Sequence, residues 1–253
     1  MSDVALGTVA ALVAVAAVAG AVDAIAGGGG LVTVPALLLA LPSPAIALAT
    51  NKGQSVFGSA TSLASYARAG RVDRARVLPA LAGGFLGAIL GVRLLLLVRP
   101  DALRPIVLAL LVASAVFFAA RRPHKVIARA PSPPRPWLAF AITLALGAYD
   151  GFFGPGVGTF LIAAGVAAFG DDLTSATANA KVANFASNLG SLLSFAIAGT
   201  IDWRLSLPMA AGQALGALVG ARAALRGGER LVRGVVVAVS LAIVAKLVVD
   251  LAR

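Results

Sequence analysis

Ten apolar stretches follow one another along this 253-residue chain, and each is long enough to form a helix. A helix that crosses a bilayer needs about 20 mostly apolar residues. Only 12% of the residues are charged, against about 25% in a soluble globule, so the chain lacks the polar surface to cover itself in water. The sequence therefore predicts an all-α polytopic membrane protein surrounded by lipid. The predicted segments lie near residues 4–22, 24–41, 45–67, 77–98, 104–120, 137–150, 152–169, 176–198, 205–225 and 231–251.

The charged residues lie mostly in the short connections. The formal net charge is +11, but arginines clustered between apolar segments are typical of cytoplasmic loops, so we expect no nucleic-acid partner. Cysteine is absent and the single histidine, His124, lies in a charged loop, so we predict no metal site and no cofactor. Ser55, Ser62 and Ser65 have no nearby base, which argues against an enzyme. The first segment lacks a basic leader and is expected to be retained as a helix.

The two halves of the chain repeat each other. A shift of 129 residues matches Lys52 with Lys181, and upstream a shift of 127 matches Asp23 with Asp150. The 127-residue shift also matches Thr50 with Thr177, so we expect a two-residue insertion between Thr177 and Lys181. The matches fall mostly on residue types other than the abundant Ala and Leu, which indicates a true duplication. Further pairs at the longer shift are Ser62 and Ser191, Gly70 and Gly199, Asp73 and Asp202, and Pro79 and Pro208.

The distribution of arginine predicts how the halves are oriented. With five crossings per half, the arginine-rich loops at 68–76 and 222–233 and the central linker lie on one side of the membrane. With four crossings the second cluster would lie outside, against the positive-inside rule. We therefore predict two inverted repeats of about five segments each, at 1–120 and 137–253, joined by a cytoplasmic linker at 121–136. Segment two is interrupted by glycines and is either a crossing or a re-entrant helix.

Glycines recur every four residues in the fourth and ninth segments. Small residues at this spacing line one helix face and let two helices approach closely in a membrane. We expect these glycines to serve packing. They are Gly83, Gly87 and Gly91 in the first half and Gly212, Gly216 and Gly220 in the second.

Two glycine-rich stretches interrupt apolar segments near the expected midplane, after Asp23 and after Asp150. Glycine costs about 1 kcal/mol in a helix interior and proline about 3 kcal/mol, so both stretches predict broken helices. Broken helices at matching places in two halves are typical of a transporter's binding site. The alternative is a tight turn between two short helices. The glycines expected to expose backbone donors to a substrate are Gly28, Gly29, Gly154 and Gly156.

A polar cluster follows each break within an apolar segment. Lys52 lies roughly 12 Å deep along its helix, and Lys181 lies at the matching depth from the other side. Because a charge inside the membrane is costly, we interpret both lysines as binding an anionic substrate. Alternatively, each lysine pairs with Asp23 or Asp150, and the nearby amides bond across helices. The hydrogen-bonding residues predicted for the site are Thr50, Asn51, Asn179, Asn184 and Asn188.

Asp23 and Asp150 are the acids placed beside the breaks, at matching positions. Three roles are open to them. They cap the N-terminus of a half-helix, balance a lysine, or carry a coupling proton.

These motifs resemble the TauE/SafE sulfite exporter family. The resemblance rests on the glycine run and Val34-Pro35 after Asp23, the Ala49–Lys52 run, the Tyr149–Gly156 run and the Ala176–Lys181 run. It implies a bacterial or archaeal permease of the cytoplasmic (inner) membrane for sulfur-containing anions such as sulfite or an organosulfonate.

We therefore predict multi-pass anion transport by alternating access, with a small anion, the lipid bilayer and, as a further candidate, a coupling proton as partners. The rival hypotheses are an anion channel with the same site, a transporter of another small organic anion, and a membrane subunit of a partner protein. The oligomeric state is left open.

Overall fold

The computed structural model describes residues 6–120 and 135–251, and its regular elements are all helices. The all-α prediction is confirmed for this part of the chain, whereas the linker predicted at 121–136 lies outside it up to residue 134. The helices are α1 Leu6–Ala26, α2 Gly30–Ala40, α3 Pro44–Arg68, α4 Arg74–Leu97, α5 Pro100–Ala120, α6 Pro136–Phe152, α7 Val157–Ala164 with a π-helical turn at Gly165–Phe169, α8 Leu173–Ile197, and α9 Trp203–Leu251.

The ninth and tenth predicted segments form one helix. No loop occurs at 226–230, because α9 runs without interruption for 49 residues. This stretch contains Gly227 and Gly228 but no proline, so every residue keeps its backbone N–H and the helix can continue at a cost of about 1 kcal/mol per glycine. The five-segment organisation of each half therefore stays a prediction.

Several described helices suit a lipid environment. By length and composition, α1 and α4 are long and apolar enough to cross a bilayer. α3 and α8 are 25 residues each but carry the polar clusters. α2 has only 11 residues, about 16 Å, and reaches roughly halfway through a 30 Å hydrocarbon core. Large apolar side chains such as Leu78, Leu97 and Leu215 are exposed on the outside of α4 and α9, as contact with lipid would require.

The glycine stripes pack the halves against each other. α1 lies along α9, and its counterpart α6 lies along α4. A Cβ atom placed on Gly87 would be 2.2 Å from the carbonyl oxygen of Leu144, and one on Gly216 would be 1.8 Å from that of Ala17. Only glycine allows such close approach, so the packing role predicted for both stripes is confirmed. The first helix of each half therefore packs against the other half. α3 and α8, one from each half, also contact each other.

The insertion that separates the two repeat shifts lies before α8, which corrects the expected position. α3 and α8 match at 129 residues over their full length, while α2 and the start of α7 match at 127. The two extra residues therefore fall between Gly165 and Asp172, where the chain forms the π turn. Accordingly, Thr50 corresponds to Asn179 and not to Thr177.

Candidate functional site

The two glycine-rich breaks touch each other at the centre of the protein. Gly27 has a φ of 78°, and a Cβ atom on it would lie 2.3 Å from the carbonyl carbon of Gly158. The hydroxyl of Thr159 donates a hydrogen bond to the carbonyl of Ala26 over 2.8 Å. The chain therefore requires glycine at this contact, because any side chain would push the two breaks apart.

Two ion pairs lie beside the breaks, the first buried and the second partly buried, and each joins one half to the other. Lys52 Nζ contacts Asp150 Oδ1 at 2.5 Å, and Lys181 Nζ contacts Asp23 Oδ2 at 2.9 Å. Since Lys52 matches Lys181 and Asp23 matches Asp150, the pairs are equivalent and reciprocal. The interpretation of the lysines as partners of these acids agrees with the geometry, and the two lysines and two aspartates sum to zero charge.

Amide side chains connect the two pairs. Lys52 Nζ donates to Asn188 Oδ1 at 3.3 Å, and Asn188 Nδ2 donates to Asn184 Oδ1 at 2.8 Å. Asn184 Nδ2 in turn donates to Asp23 Oδ2 at 3.3 Å, the oxygen that Lys181 contacts. One hydrogen-bonded chain therefore runs from one ion pair to the other along α8.

The two acids do not cap the half-helices. Asp23 and Asp150 lie in the last turns of α1 and α6, and the N-cap positions of α2 and α7, Gly29 and Gly156, have no side-chain cap. The capping hypothesis is thus wrong, because both carboxylates are occupied by lysines across the repeat interface.

A cavity of about 20 Å³ lies between the breaks and the ion pairs, room for about one water molecule. Lys52 and Asp150 face it, while Lys181 does not. Gly154 has a φ of 98°, and a Cβ atom there would lie 3.0 Å from Lys52 Nζ, so glycine keeps space beside the ammonium group. The predicted site residues that line the cavity are Asp23, Asn51, Lys52, Asp150, Gly154, Gly156, Asn184 and Asn188.

Thr50 and Asn179 have a different place. Thr50 Oγ1 accepts from the backbone N–H of Asp202 at 3.1 Å, and Asn179 Oδ1 accepts from that of Asp73 at 2.8 Å. These equivalent contacts hold the starts of α9 and α4. The structure therefore does not bring these two residues to the cavity, because the helical turn before each lysine faces the neighbouring helix start.

Three further predicted residues lie behind the cavity wall. Lys181 is fully buried and also donates to the backbone carbonyl of Asp23. The carbonyls of Gly28 and Gly29 accept from the first turn of α2. Gly27 and Gly30 line the cavity in place of Gly28 and Gly29. The position of the break was therefore predicted correctly, but not which of its glycines line the cavity.

Sequence reasoning missed Gln213, whose side chain lines the cavity and is only 3% exposed. Its Oε1 has no hydrogen-bond partner among the described residues. It reaches the cavity because its neighbour on α3 is Gly58, whose added Cβ would lie 2.5 Å from Gln213 Cγ. The available signal was a single glutamine in a helix of small residues, at the position matched by Gly84 in the first half.

Ser55 and Ser187 were also not assigned to the site. Ser55 lines the cavity, and Ser187 Oγ donates to Asp150 Oδ2 at 2.5 Å. Asn51 Oδ1 accepts from Thr33 Oγ1 at 2.6 Å, which ties the first turn of α2 to α3. No group of three His, Cys, Asp or Glu side chains that could hold a metal ion occurs in the described ranges.

Comparison with known proteins identifies the family of this chain. The family model "Sulfite exporter TauE/SafE" matches residues 12–247. The chain is 39% identical over 252 residues to a probable membrane transporter protein, ORF9, of a Sinorhizobium species, covering 99% of this chain and 96% of that one. It is 38% identical over 242 residues to the probable membrane transporter protein YfcA of Escherichia coli K12, with 93% and 88% covered.

A probable membrane transporter protein of Haemophilus influenzae is 37% identical over 250 residues, with 98% of this chain and 97% of that one covered. No solved structure gives a significant match. The family match spans nearly the whole chain and includes both breaks, both lysines and both aspartates. The chain therefore belongs to the sulfite exporter TauE/SafE family of membrane transporters.

Proposed function

We propose that this protein transports a small sulfur-containing anion, sulfite or an organosulfonate, across a bacterial cytoplasmic membrane by alternating access. The observation that carries this proposal is Lys52, an ammonium group with a side chain only 4% exposed, facing a cavity between two broken helices. A buried cation beside hydrogen-bond donors suits the oxygens of an anion. The family's description supports the class of substrate.

The surroundings of Lys52 supply directional donors. Asn51, Asn184 and Asn188 line the cavity, and α2 and α7 begin at its wall with their N-terminal N–H groups. The positive ends of helix dipoles favour an anion at such a place. Gln213 adds a buried amide, and we propose that it also contacts the substrate.

The cavity in this conformation is smaller than a sulfonate group. Transport therefore requires the walls to separate, and the contact between Gly27 and Gly158 is a natural place for relative movement of the halves. Inverted repeats that rock about a central site would expose Lys52 to one side and then to the other. We propose the same orientation of repeats that the loop charges predict, with the arginine-rich loop at 68–76 in the cytoplasm.

The proposal is tested by flux into proteoliposomes that contain the purified protein. Sulfite, methanesulfonate and sulfate are offered in parallel, and counterflow is measured with labelled anion outside and unlabelled anion inside. We expect saturable flux of sulfite or methanesulfonate together with counterflow, whereas a channel would give flux without counterflow. Absence of flux of all three anions, from folded protein, would overturn the proposed substrate class.

Substitutions at the cavity test which residues bind the anion. Lys52→Gln should raise the apparent Km by at least tenfold, because the charged hydrogen bond to the anion is lost. Gln213→Leu should raise it less, by a few-fold. Lys181→Gln is the matched comparison: it removes the equivalent charge outside the cavity and should mainly lower the unfolding temperature. An equal Km in the Lys52 variant and the parent protein would remove Lys52 from the site.

A further inference from the structure

Asp150 competes directly with any anion for Lys52. The ion pair is almost fully enclosed, with side-chain exposures of 4% for Lys52 and 2% for Asp150. The ammonium group has three donors, and Asp150 and Asn188 accept from two of them, so an anion in the cavity can reach the third. A second negative charge would then lie beside the Asp150 carboxylate, and one buried cation cannot compensate both, which is strongly unfavourable. Anion binding is therefore favoured when Asp150 loses its charge or leaves its position.

The equivalent acid in the other pair is held differently. Lys181 contacts both the carboxylate and the backbone carbonyl of Asp23, so it has a partner that does not depend on the charge of the side chain. Lys181 also does not face the cavity. This pair fixes α8 to the end of α1, whereas Lys52 and Asp150 meet where a substrate would bind.

Ser187 makes Asp150 suited to take up a proton. Its hydroxyl donates to Asp150 Oδ2 at 2.5 Å and lies 3.1 Å from the backbone carbonyl of Asn184. When Asp150 is protonated, its new O–H can donate to Ser187 Oγ, and the serine proton can turn to the carbonyl of Asn184. Both charge states of the acid thus find a partner. The residue of the first half that matches Ser187 is Gly58, which offers no hydroxyl.

The other charged groups around Asp150 are few in the described part of the chain. α3 contributes Lys52, and Asp23 and Lys181 compensate each other across the hydrogen-bonded chain. α7 carries no titratable residue, and on α4, packed against α6, Arg93 is exposed to the outside. Next to Asp150 in sequence, the hydroxyl of Tyr149 donates to the carbonyl of Pro155.

We propose that Asp150 is the proton-binding residue of this transporter and exchanges its partner Lys52 for a proton whenever the anion binds. This inference rests on the proposed function. In the step, a proton from water bonds to an oxygen of Asp150, Lys52 keeps its own protons, and an anion oxygen replaces the carboxylate at Nζ. Release reverses the exchange: the anion leaves, Asp150 returns its proton to water, and the ion pair forms again. One proton therefore accompanies each monoanion in the same direction.

The test uses full-length protein in proteoliposomes and methanesulfonate, which stays a monoanion at every pH used. A gradient of one pH unit should drive about tenfold accumulation on the acceptor side at one proton per anion, and an enclosed pH dye should report the proton. In Asp150→Asn, accumulation should fall to onefold, while counterflow remains detectable. Asp101→Asn changes an exposed acid and should behave as the parent protein does.

A second variant keeps the carboxylate and guards against loss of folding in Asp150→Asn. Ser187→Ala removes the hydroxyl that partners Asp150 in both of its charge states, so the pH of half-maximal uptake should differ from that of the parent protein. Accumulation by Asp150→Asn equal to that of the parent, or an unmoved pH profile in Ser187→Ala, would overturn the inference. Counterflow without any response to a proton gradient would overturn it and leave the proposed function standing. If the parent protein exchanges no anion, both proposals fall.

Discussion

The turn between α3 and α4 and the turn between α8 and α9 have the same backbone but different side-chain chemistry. Each turn contains a glycine with positive φ, 68° at Gly70 and 66° at Gly199. In each, the next residue's N–H returns to a carbonyl five residues earlier, from Arg71 to Tyr66 and from Thr200 to Phe195. The helices α3 and α8 therefore end in the same way.

The helix starts that follow these turns differ. In α4, the guanidinium of Arg76 donates to both carboxylate oxygens of Asp171 at 2.8 and 2.9 Å, and to Asp73 at 2.6 Å. It also lies 4.5 Å from the centre of the Phe169 ring. The matching residue in α9 is Leu205, which is completely buried in an apolar cluster. One copy is held by charges and the other by apolar packing.

The difference between the starts of α4 and α9 depends on one acid in the turn before α8. Asp171 lies in the turn before α8, and the 129-residue shift matches it with Pro42, so the first half has no acid at this position. Without this acid, an arginine at the position of Leu205 would be buried with too few partners. Arg76 therefore depends on the acid that the turn before α8 supplies, and the asymmetry should be visible in the response to substitution.

The largest effect is expected from Arg76→Leu, which gives α4 the leucine that α9 carries at the matching position, Leu205. It leaves the partly buried Asp171, whose side chain is 10% exposed, without its cation and should cost about 3 kcal/mol of unfolding free energy. Thermal unfolding in detergent measures the loss. Adding Asp171→Leu should recover much of it, and Leu205→Met should cost under about 1.5 kcal/mol. A harmless Arg76→Leu would mean that the ionic contacts do not stabilise this end.

Removal of the side chains that hold the helix starts should have an intermediate effect. Asn179→Ala removes the acceptor for the Asp73 N–H and the donor to Asp171, and should cost about 1–3 kcal/mol. Thr50→Ala removes one hydrogen bond to the Asp202 N–H and should cost about 1 kcal/mol. Unfolding of both variants under the same conditions compares the two copies. Equal losses would contradict the view that only one copy carries an extended polar network.

The glycines of the two turns should respond equally. No atom lies within 4 Å of a Cβ placed on Gly70 or Gly199, so only the backbone conformation opposes a side chain. Alanine in the left-handed region costs about 1–2 kcal/mol, and Gly70→Ala and Gly199→Ala should each lower stability by that amount. Asparagine, which tolerates this region, should cost less at both positions. Unequal losses would show that the two turns differ although the φ angles of Gly70 and Gly199 agree.

The smallest effect concerns the cap of α8. Burial raises the pKa of Asp172, but hydrogen bonds from Ser175 and Thr174 outweigh it and hold the pKa below its usual value. The cap should therefore contribute about 0.5–1 kcal/mol above the pKa of the unfolded chain, and lose this as pH falls through the lower pKa of the folded state. Asp172→Asn should show less of this pH dependence in detergent unfolding curves. Ser43, at the matching start of α3, makes no side-chain cap.

Local patterns were enough to predict the helices, the two breaks and the glycine stripes. Each depends on a spacing or a residue type within one segment, as for Gly87 against α6. The continuity of α9 was not predictable, because Gly227 and Gly228 permit either a turn or a helix.

The partners of the site residues needed tertiary structure. The spacing of Lys52 and Lys181 indicated buried charges but not that each would meet the acid of the other half. Asn179 was assigned to the cavity because it lies within about half a helix face of Asn184 and Asn188, but its side chain accepts from the N–H of Asp73 instead. Gln213 carries no motif, and its position became meaningful only beside Gly58.

The cancellation of charge in the two ion pairs has an electrical consequence. Moving one elementary charge through 100 mV takes about 2.3 kcal/mol, but two lysines and two aspartates sum to zero. Under the proposed alternating access, an empty site with this balance would change its exposure without work against the membrane voltage. A monoanion that travels with one proton keeps the sum at zero, whereas a dianion with one proton leaves one negative charge. The voltage of a cell that is negative inside would then oppose the entry of dianions and favour their exit, and leave monoanions unaffected.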